Sequence, residues 1–281
     1  MKTIVALLFL VFCFMLVQGQ ETTRMMTYNI KLDYPKEGKN SWDNRKDLVV
    51  GQINFYDPHV FGVQEALPNQ MQYLDSVLVD FKYVGVGRDD GKNSGEYSAI
   101  FYNQNIFEIV ENGTFWLSET PDKVSMGWDA VCNRICTYAL FENVKTQQRF
   151  WVFNTHFDHV GKIARMESPK LILKKVKAIN IQKLPVVLMG DFNLEPETEN
   201  IKQLYTYFND SKSISKDKPF GPIGTYNGFH FDRPVSRRID YILTSKDNVQ
   251  VNKYAVLSNP KNGRYPSDHF PVYAEITILS D

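Results

Sequence analysis

Ten short apolar runs, rich in β-branched and aromatic residues, punctuate this chain of 281 residues, and acids or histidines stand where several of them end. The runs cover 25–30, 60–64, 97–102, 114–117, 135–141, 149–155, 186–189, 239–243, 249–257 and 271–278. Their length and composition predict strands. Between them, 42–56 places Leu48, Val49, Ile53 and Tyr56 at helical spacing, and 68–79 places Met71, Leu74 and Leu78 there behind Pro68. A third helix is predicted over 170–181, beginning after Pro169. Hairpins alternate with helical crossovers, which predicts an α/β (α+β) fold of mixed, helix-covered sheets. The polar stretch 210–224, with closely spaced Gly and Pro, reads as a surface loop.

The polar residues at the run ends are placed to meet. Pro185-Val186-Val187-Leu188-Met189 has the composition of a buried strand, so Asp191 and Asn193 of Gly190-Asp191-Phe192-Asn193 fall at its exit. Asp268 and His269 immediately precede Phe270-Pro271-Val272-Tyr273-Ala274. Asp240 lies inside Arg238-Ile239-Asp240-Tyr241-Ile242-Leu243, where a charge among apolar neighbours needs a partner. Asn29 after Met26-Thr27-Tyr28, Glu65 after Gln64, Glu96 in Gly95-Glu96-Tyr97, Arg134, and His156 in Asn154-Thr155-His156 complete the set. One polar site built from several strand ends is the expectation.

The first nineteen residues, with Lys2, an apolar run over 4–17 and Val17-Gln18-Gly19, have the pattern of a secretory signal. The run is short for a membrane span. The expected mature chain is one domain over 20–281, exported to the periplasm or the medium if the source is bacterial; an anchor, or a lipid on Cys13, is the competing reading. Such a length can bury a large core. Without Lys2, 31 basic side chains stand against 32 acidic ones, so no broad positive surface of the kind that drives non-specific nucleic-acid binding is expected. Cys132 and Cys136 on one extended segment would lie roughly 13 Å apart, beyond disulfide reach. Two free thiols are expected, and no zinc-ligand spacing accompanies them.

On these motifs the chain resembles the endonuclease/exonuclease/phosphatase superfamily of metal-dependent phosphoesterases, with its deoxyribonuclease I-like fold, over about 26–278. The resemblance is carried by Gln64-Glu65, Gly190-Asp191-Phe192-Asn193 and Ser267-Asp268-His269 in this order. Gly87-Arg88-Asp89-Asp90-Gly91, Phe115-Trp116-Leu117-Ser118-Glu119-Thr120-Pro121 and Thr155-His156-Phe157-Asp158-His159 resemble its secreted bacterial branch, near the nocturnin-like and deadenylase-like members. It implies a four-layer sandwich, two packed mixed β-sheets flanked by helices, with the site at one edge. It also implies Mg2+, with Mn2+ or Ca2+ as substitutes, held by Glu65 and Asp268, with Asn29 as ligand or phosphate contact. A hard cation offsets the negative charge by which phosphate repels nucleophiles. By the same resemblance Asp191 takes the proton of the attacking water and Asn193 fixes its geometry. His156 and His269 stabilise charge on the phosphate, with Arg134 adding a fork of donors. Asp240 would orient His269 and Glu96 would orient His156, making two carboxylate–histidine pairs.

The implied activity is metal-assisted attack of water on a phosphodiester or phosphomonoester, as a nuclease or a phosphatase. The substrate would be a small phosphoester, a nucleotide or nucleic-acid end, or a lipid phosphate, handled by a monomer with no protein partner and no membrane span. A sphingomyelinase-like phospholipase would want an exposed apolar hairpin, which is not evident. A catalytically silent binding protein on the same scaffold would be expected to lack one of these positions. Lys31 stands two residues after Asn29, where several nucleases of the superfamily carry an aspartate in the metal shell. His59 and His230 read as structural or solvent-facing. Asp158 reads either as a support behind His156 or as a turn residue, and Trp128, like Trp42, Trp116 and Trp151, reads as core by residue type, with a floor for the substrate pocket as the alternative.

Overall fold

The ten expected strands form, and two short ones join them. The computed structural model describes residues 21–279, so the proposed signal at 1–19 and the Cys13 alternative lie outside the described residues. The chain runs β1 (Thr22–Asn29), a 3-10 turn (Pro35–Asn40), α1 (Trp42–Tyr56), β2 (Val60–Gln64), α2 (Pro68–Val77), β3 (Phe81–Val84), β4 (Ile100–Asn103), β5 (Phe107–Trp116) and β6 (Ile135–Asn143). It continues through β7 (Arg149–His156), α3 (Lys162–Ile179), β8 (Val186–Asp191), α4 (Glu199–Leu204), β9 (Phe208–Asp210) and α5 (Ser211–Ile214). The last strands are β10 (Asp240–Ser245), β11 (Val249–Val256) and β12 (Val272–Ile278).

The strands make two six-stranded sheets, ordered β11-β12-β1-β2-β4-β3 and β5-β6-β7-β8-β10-β9. Each sheet has one parallel pair at its centre, β1 with β2 and β7 with β8. All other pairings are antiparallel. Apolar residues at alternate positions divide the core into three layers. Met25, Val60, Ile100, Phe141, Val152, Val187 and Ile242 pack between the sheets. Met26, Phe61 and Val63 face α1 and α2 residues such as Val49, Ile53 and Leu74. Trp151, Phe153 and Leu188 face Ile172 and Val176 of α3 and Ile201 of α4. The four-layer sandwich is the observed architecture. Cys132 and Cys136 are free.

Three expectations change. Helix α3 begins at Lys162 and carries Pro169 in its interior, rather than starting after it. Its first turn is held by a distant side chain, since the carboxylate of Asp129 accepts from the amides of Ile163 (3.1 Å) and Ala164 (2.8 Å). The stretch 210–224 is not all loop: Asp210 ends β9 and caps α5 by accepting from the Lys212 amide. Its carboxylate is also paired with buried Arg238 at 2.6 Å. The unforeseen strands β3 and β9 are short edge strands of four and three residues, too brief for a periodicity to register.

Candidate active site

Because the two central strands of each sheet are parallel, β1, β2, β7 and β8 all end at one edge, where β10 and β12 begin. Side chains repeat with period two along a strand. Continuing the inward-facing positions Met25, Val152, Met189 and Ile242 therefore brings Asn29, His156, Asp191 and Asp240 to the open end of the gap between the sheets. Register does the rest: Asp191 lies directly opposite both His156 and Asp240. The Gly-Asp sequence before the turn is enforced. Gly190 has φ +142°, and a Cβ there would lie 1.9 Å from the Thr155 carbonyl oxygen. Lys31, Glu65 and Asn193, with φ of 59°, 62° and 49°, sit in the left-handed region just past their strands, a conformation that turns their side chains back over the edge.

The sequence-derived set meets in one place. Asn29 Nδ2 donates to Glu65 Oε1 and to Asp191 Oδ2, both at 3.0 Å. Its Oδ1 accepts from the Lys31 amide, so in this orientation Asn29 bridges two carboxylates and does not present its oxygen to an ion. Asp191 Oδ1 accepts from the Asn193 amide at 2.9 Å. Asn193 Nδ2 donates to the Phe157 carbonyl and to His156 Nε2 at 3.1 Å. His269 Nδ1 is 2.9 Å from Asp240 Oδ2, and its Nε2 is 3.7 Å from Asp191 Oδ2.

The two histidines differ in charge. Burial alone would discharge His269, but Asp240 and Asp191 outweigh it and hold the ring protonated, well above the usual range. His156 is held neutral, well below the usual range, by burial and by Arg134 and Arg88. The expected second carboxylate–histidine pair is loose: Glu96 stands 4.0 Å from His156 Nδ1 and is taken by Arg88 Nη1 at 2.6 Å. Burial, with Asp240 beside it, pushes Asp191 up to about 7. Glu65 stays ionised, because Lys31 and His269 overcome its burial.

Glu65, Glu96, His156, Asp191, Asn193, Asp268 and His269 line a cavity of about 460 Å³, with Asn29 and Asp240 behind them and Lys31, Arg88, Arg134, His159, Arg165, Tyr226 and Arg237 also in its wall. Arg134 is 4% exposed. Its Nη2 meets His159 Nδ1 at 3.0 Å and its Nε faces Asp158 at 3.6 Å, while Nη1 has no protein partner. Asp158 thus braces Arg134 and accepts from the Val160 and Gly161 amides; it does not stand behind His156. Trp128 packs with the outer core of the second sheet, as its residue type suggested, and not in the cavity wall, so the pocket-floor alternative falls. Tyr226 takes that place. His59 is buried, away from the cavity. Arg165, Tyr226 and Arg237 went unassigned to the site in the sequence because they lie on loops and a helix start with no motif of their own, and His159, although inside Thr155-His156-Phe157-Asp158-His159, was given no role.

A cation fits beside Glu65 and Asp268, since the Lys31 ammonium already stands 3.7 Å from each. Asp191, Asp240 and His269 also present ligand atoms within 4.8 Å of one another. There an imidazolium paired with both acids has no free lone pair, so that cluster suits a proton better than a metal.

Two helix-flanked sheets whose strand ends gather carboxylates, an imidazolium and guanidinium groups in one cavity define a phosphoester hydrolase. The chain belongs to the endonuclease/exonuclease/phosphatase family, whose model matches residues 26–269. It is similar in structure to the mannosyl-6-phosphatase of Bacteroides thetaiotaomicron VPI-5482, with 36% identity and a TM-score of 0.87 over 91% of this chain and 100% of that one. The catalytic domain of human nocturnin shares the fold, with a TM-score of 0.73 at 22% identity over 92% of this chain and 94% of that one. In sequence the chain is 22% identical to the Ccr4 exoribonuclease subunit of Mycosarcoma maydis, with 92% of this chain matched, and spans 51% of that protein.

Proposed function

We propose that the protein is an exported, magnesium-dependent phosphatase that removes phosphate from a small sugar phosphate by attack of water. The observation that carries this reading is the half-open cavity, lined by His269 with Asp240 behind it, by Asp191 and by buried Arg134, around a space sized for a small molecule. The likeness to a mannosyl-6-phosphatase over its full length supports the substrate class. Export rests on the apolar run at 4–17 behind Lys2, and monomeric action on the site's completeness within one chain.

Glu65 and Asp268 would hold the ion, which when bound would offset the charge of the phosphate. Asp191, kept near neutral pH in its proton affinity and steadied by Asn29 and Asn193, accepts the proton of the water. His269, held protonated by Asp240, donates to the oxygen that gains charge. His156, neutral, accepts from Asn193 Nδ2 through Nε2 and fixes that amide, a tautomer assigned from this contact. Arg134, in the cavity wall, would add its guanidinium to the groups that meet the phosphate.

The test measures hydrolysis with magnesium and with a chelator: inorganic phosphate from mannose 6-phosphate, p-nitrophenol from p-nitrophenyl and bis-p-nitrophenyl phosphate, chain shortening of single-stranded RNA, and phosphocholine from sphingomyelin. The expected result is turnover of the monoesters, lost on chelation, and lost for the most part in Glu65→Gln with an unchanged circular dichroism spectrum. Preferential cleavage of RNA, or full activity of Glu65→Gln, would overturn the assignment.

A further inference from the structure

The segment bearing Tyr226 is locked beside His269. Residues Tyr226 and His269 form an antiparallel bridge. The amides of Asn227 and Gly228 both donate to the Asp268 carbonyl, and Phe270 donates to that of Thr225. The hydroxyl of Thr225 accepts from the amides of Ile239 and Asp240, so the segment is tied to the strand that carries the partner of His269. The Tyr226 ring meets the His269 ring edge-on, 5.1 Å between centroids at 67°. Arg237 lies over the same tyrosine ring at 5.4 Å, its Nε 3.6 Å from Glu195.

Tyr226 brings the one aromatic ring other than histidine among the described residues lining the cavity. The rest of the wall is mostly polar or charged, with Leu32 and Ile239 its larger aliphatic members. Tyr226 is 36% exposed, and its hydroxyl makes no hydrogen bond to the described residues. The Arg237 Nη atoms likewise donate to no described residue. An apolar face beside His269, rimmed by the Arg237 guanidinium and the tyrosine hydroxyl, both with open hydrogen-bonding capacity, matches a ring that is apolar on its face and hydroxylated at its edge. It does not match a bare alkyl ester, which would leave the rim groups unused.

We propose that Tyr226 and Arg237 form the leaving-group subsite, seating the hydroxylated ring of a sugar phosphate while its ester faces His269. This rests on the phosphatase reading and adds to it the residues that choose the substrate. Binding at the ring is spent on orienting the phosphate, so truncating the subsite penalises a substrate that has the ring and spares one that lacks it.

The experiment compares kcat/KM for mannose 6-phosphate and for methyl phosphate, the same ester without a ring, in the wild type and in Tyr226→Ala, Tyr226→Phe and Arg237→Ala. Tyr226→Ala and Arg237→Ala are expected to lose about tenfold or more in kcat/KM on mannose 6-phosphate beyond their loss on methyl phosphate, with part of the loss in kcat. Tyr226→Phe, which keeps the ring, is expected to restore the preference to within about threefold. Equal losses on both esters would mean that Tyr226 serves only to pack His269, and no loss would mean that the ring lies elsewhere; either overturns the subsite while the phosphatase reading stands. A wild type that leaves both esters intact overturns the phosphatase reading itself, and the subsite with it.

Discussion

The ammonium of Lys31, 3.7 Å from Glu65 and from Asp268, gives this site its own positive charge between the two carboxylates best placed for an ion. Burial works against that charge, but Glu65 and Asp268 outweigh it and raise the proton affinity of Lys31, so the lysine stays charged and any divalent ion must share its ligands. Two unit charges at about 4 Å interact by roughly 4 kcal/mol at an effective dielectric of 20; a lysine free to swing away keeps only part of that. Lys31→Met is therefore expected to bind magnesium about tenfold more tightly, roughly 1.4 kcal/mol, by isothermal titration calorimetry. Unchanged or weaker binding would show that the ammonium does not compete with the ion. The sequence places Lys31 two residues after Asn29, yet where its side chain goes depends on a left-handed backbone at both Lys31 and Glu65, which no motif displays. The same holds for His156. Its position in Asn154-Thr155-His156 was legible, whereas its neutral state follows from burial and from Arg134 and Arg88 beside it, with Glu96 held by Arg88 instead.

Between elements, the two sheets are joined by more than apolar packing. Asn154 of β7 donates to the carbonyls of Val63 (3.0 Å) and Ala99 (2.8 Å) and accepts from Gln64 at 2.7 Å. This buried amide clasp crosses the core one inward step before His156 and directly behind Glu65. It exists because position 62 is glycine: a Cβ there would stand 2.6 Å from the Asn154 side chain. Gly62→Ala should force the amide out of its three hydrogen bonds and cost about 2 kcal/mol or more, lowering Tm by about 4–8 °C in differential scanning calorimetry. A Tm within a degree of the wild type would mean that the sheets can part without loss. Strand identities were largely readable because inward and outward residues alternate. Helix α3 was not, since its first turn is capped by Asp129, 34 residues away in sequence from Ile163, and a tertiary cap leaves no local pattern to offset the helix-breaking reading of Pro169.

For the molecule as a whole, one topological choice made twice assembles the site: each sheet carries a central parallel pair, so the exits of four strands share an edge. The charge of the chain is balanced, 32 basic against 32 acidic side chains, while the cavity gathers Lys31, Arg88, Arg134, Arg165 and Arg237 in a single space, where Glu65, Glu96, Asp191 and Asp268 offset them in part. Positive charge concentrated in a cavity attracts one compact anion; spread over a surface, it would track a polymer backbone. A protein of the second kind, making six to ten phosphate contacts, loses about 10³- to 10⁵-fold in duplex affinity between 50 and 200 mM salt. The Asp191→Asn variant, which keeps the cavity shape and slows turnover, is expected to bind duplex DNA weakly at both salt concentrations, with a change of less than about tenfold in a fluorescence anisotropy titration. A loss of a thousandfold or more would reveal an extended nucleic-acid footprint outside the cavity and would move the substrate from a sugar phosphate to a polynucleotide.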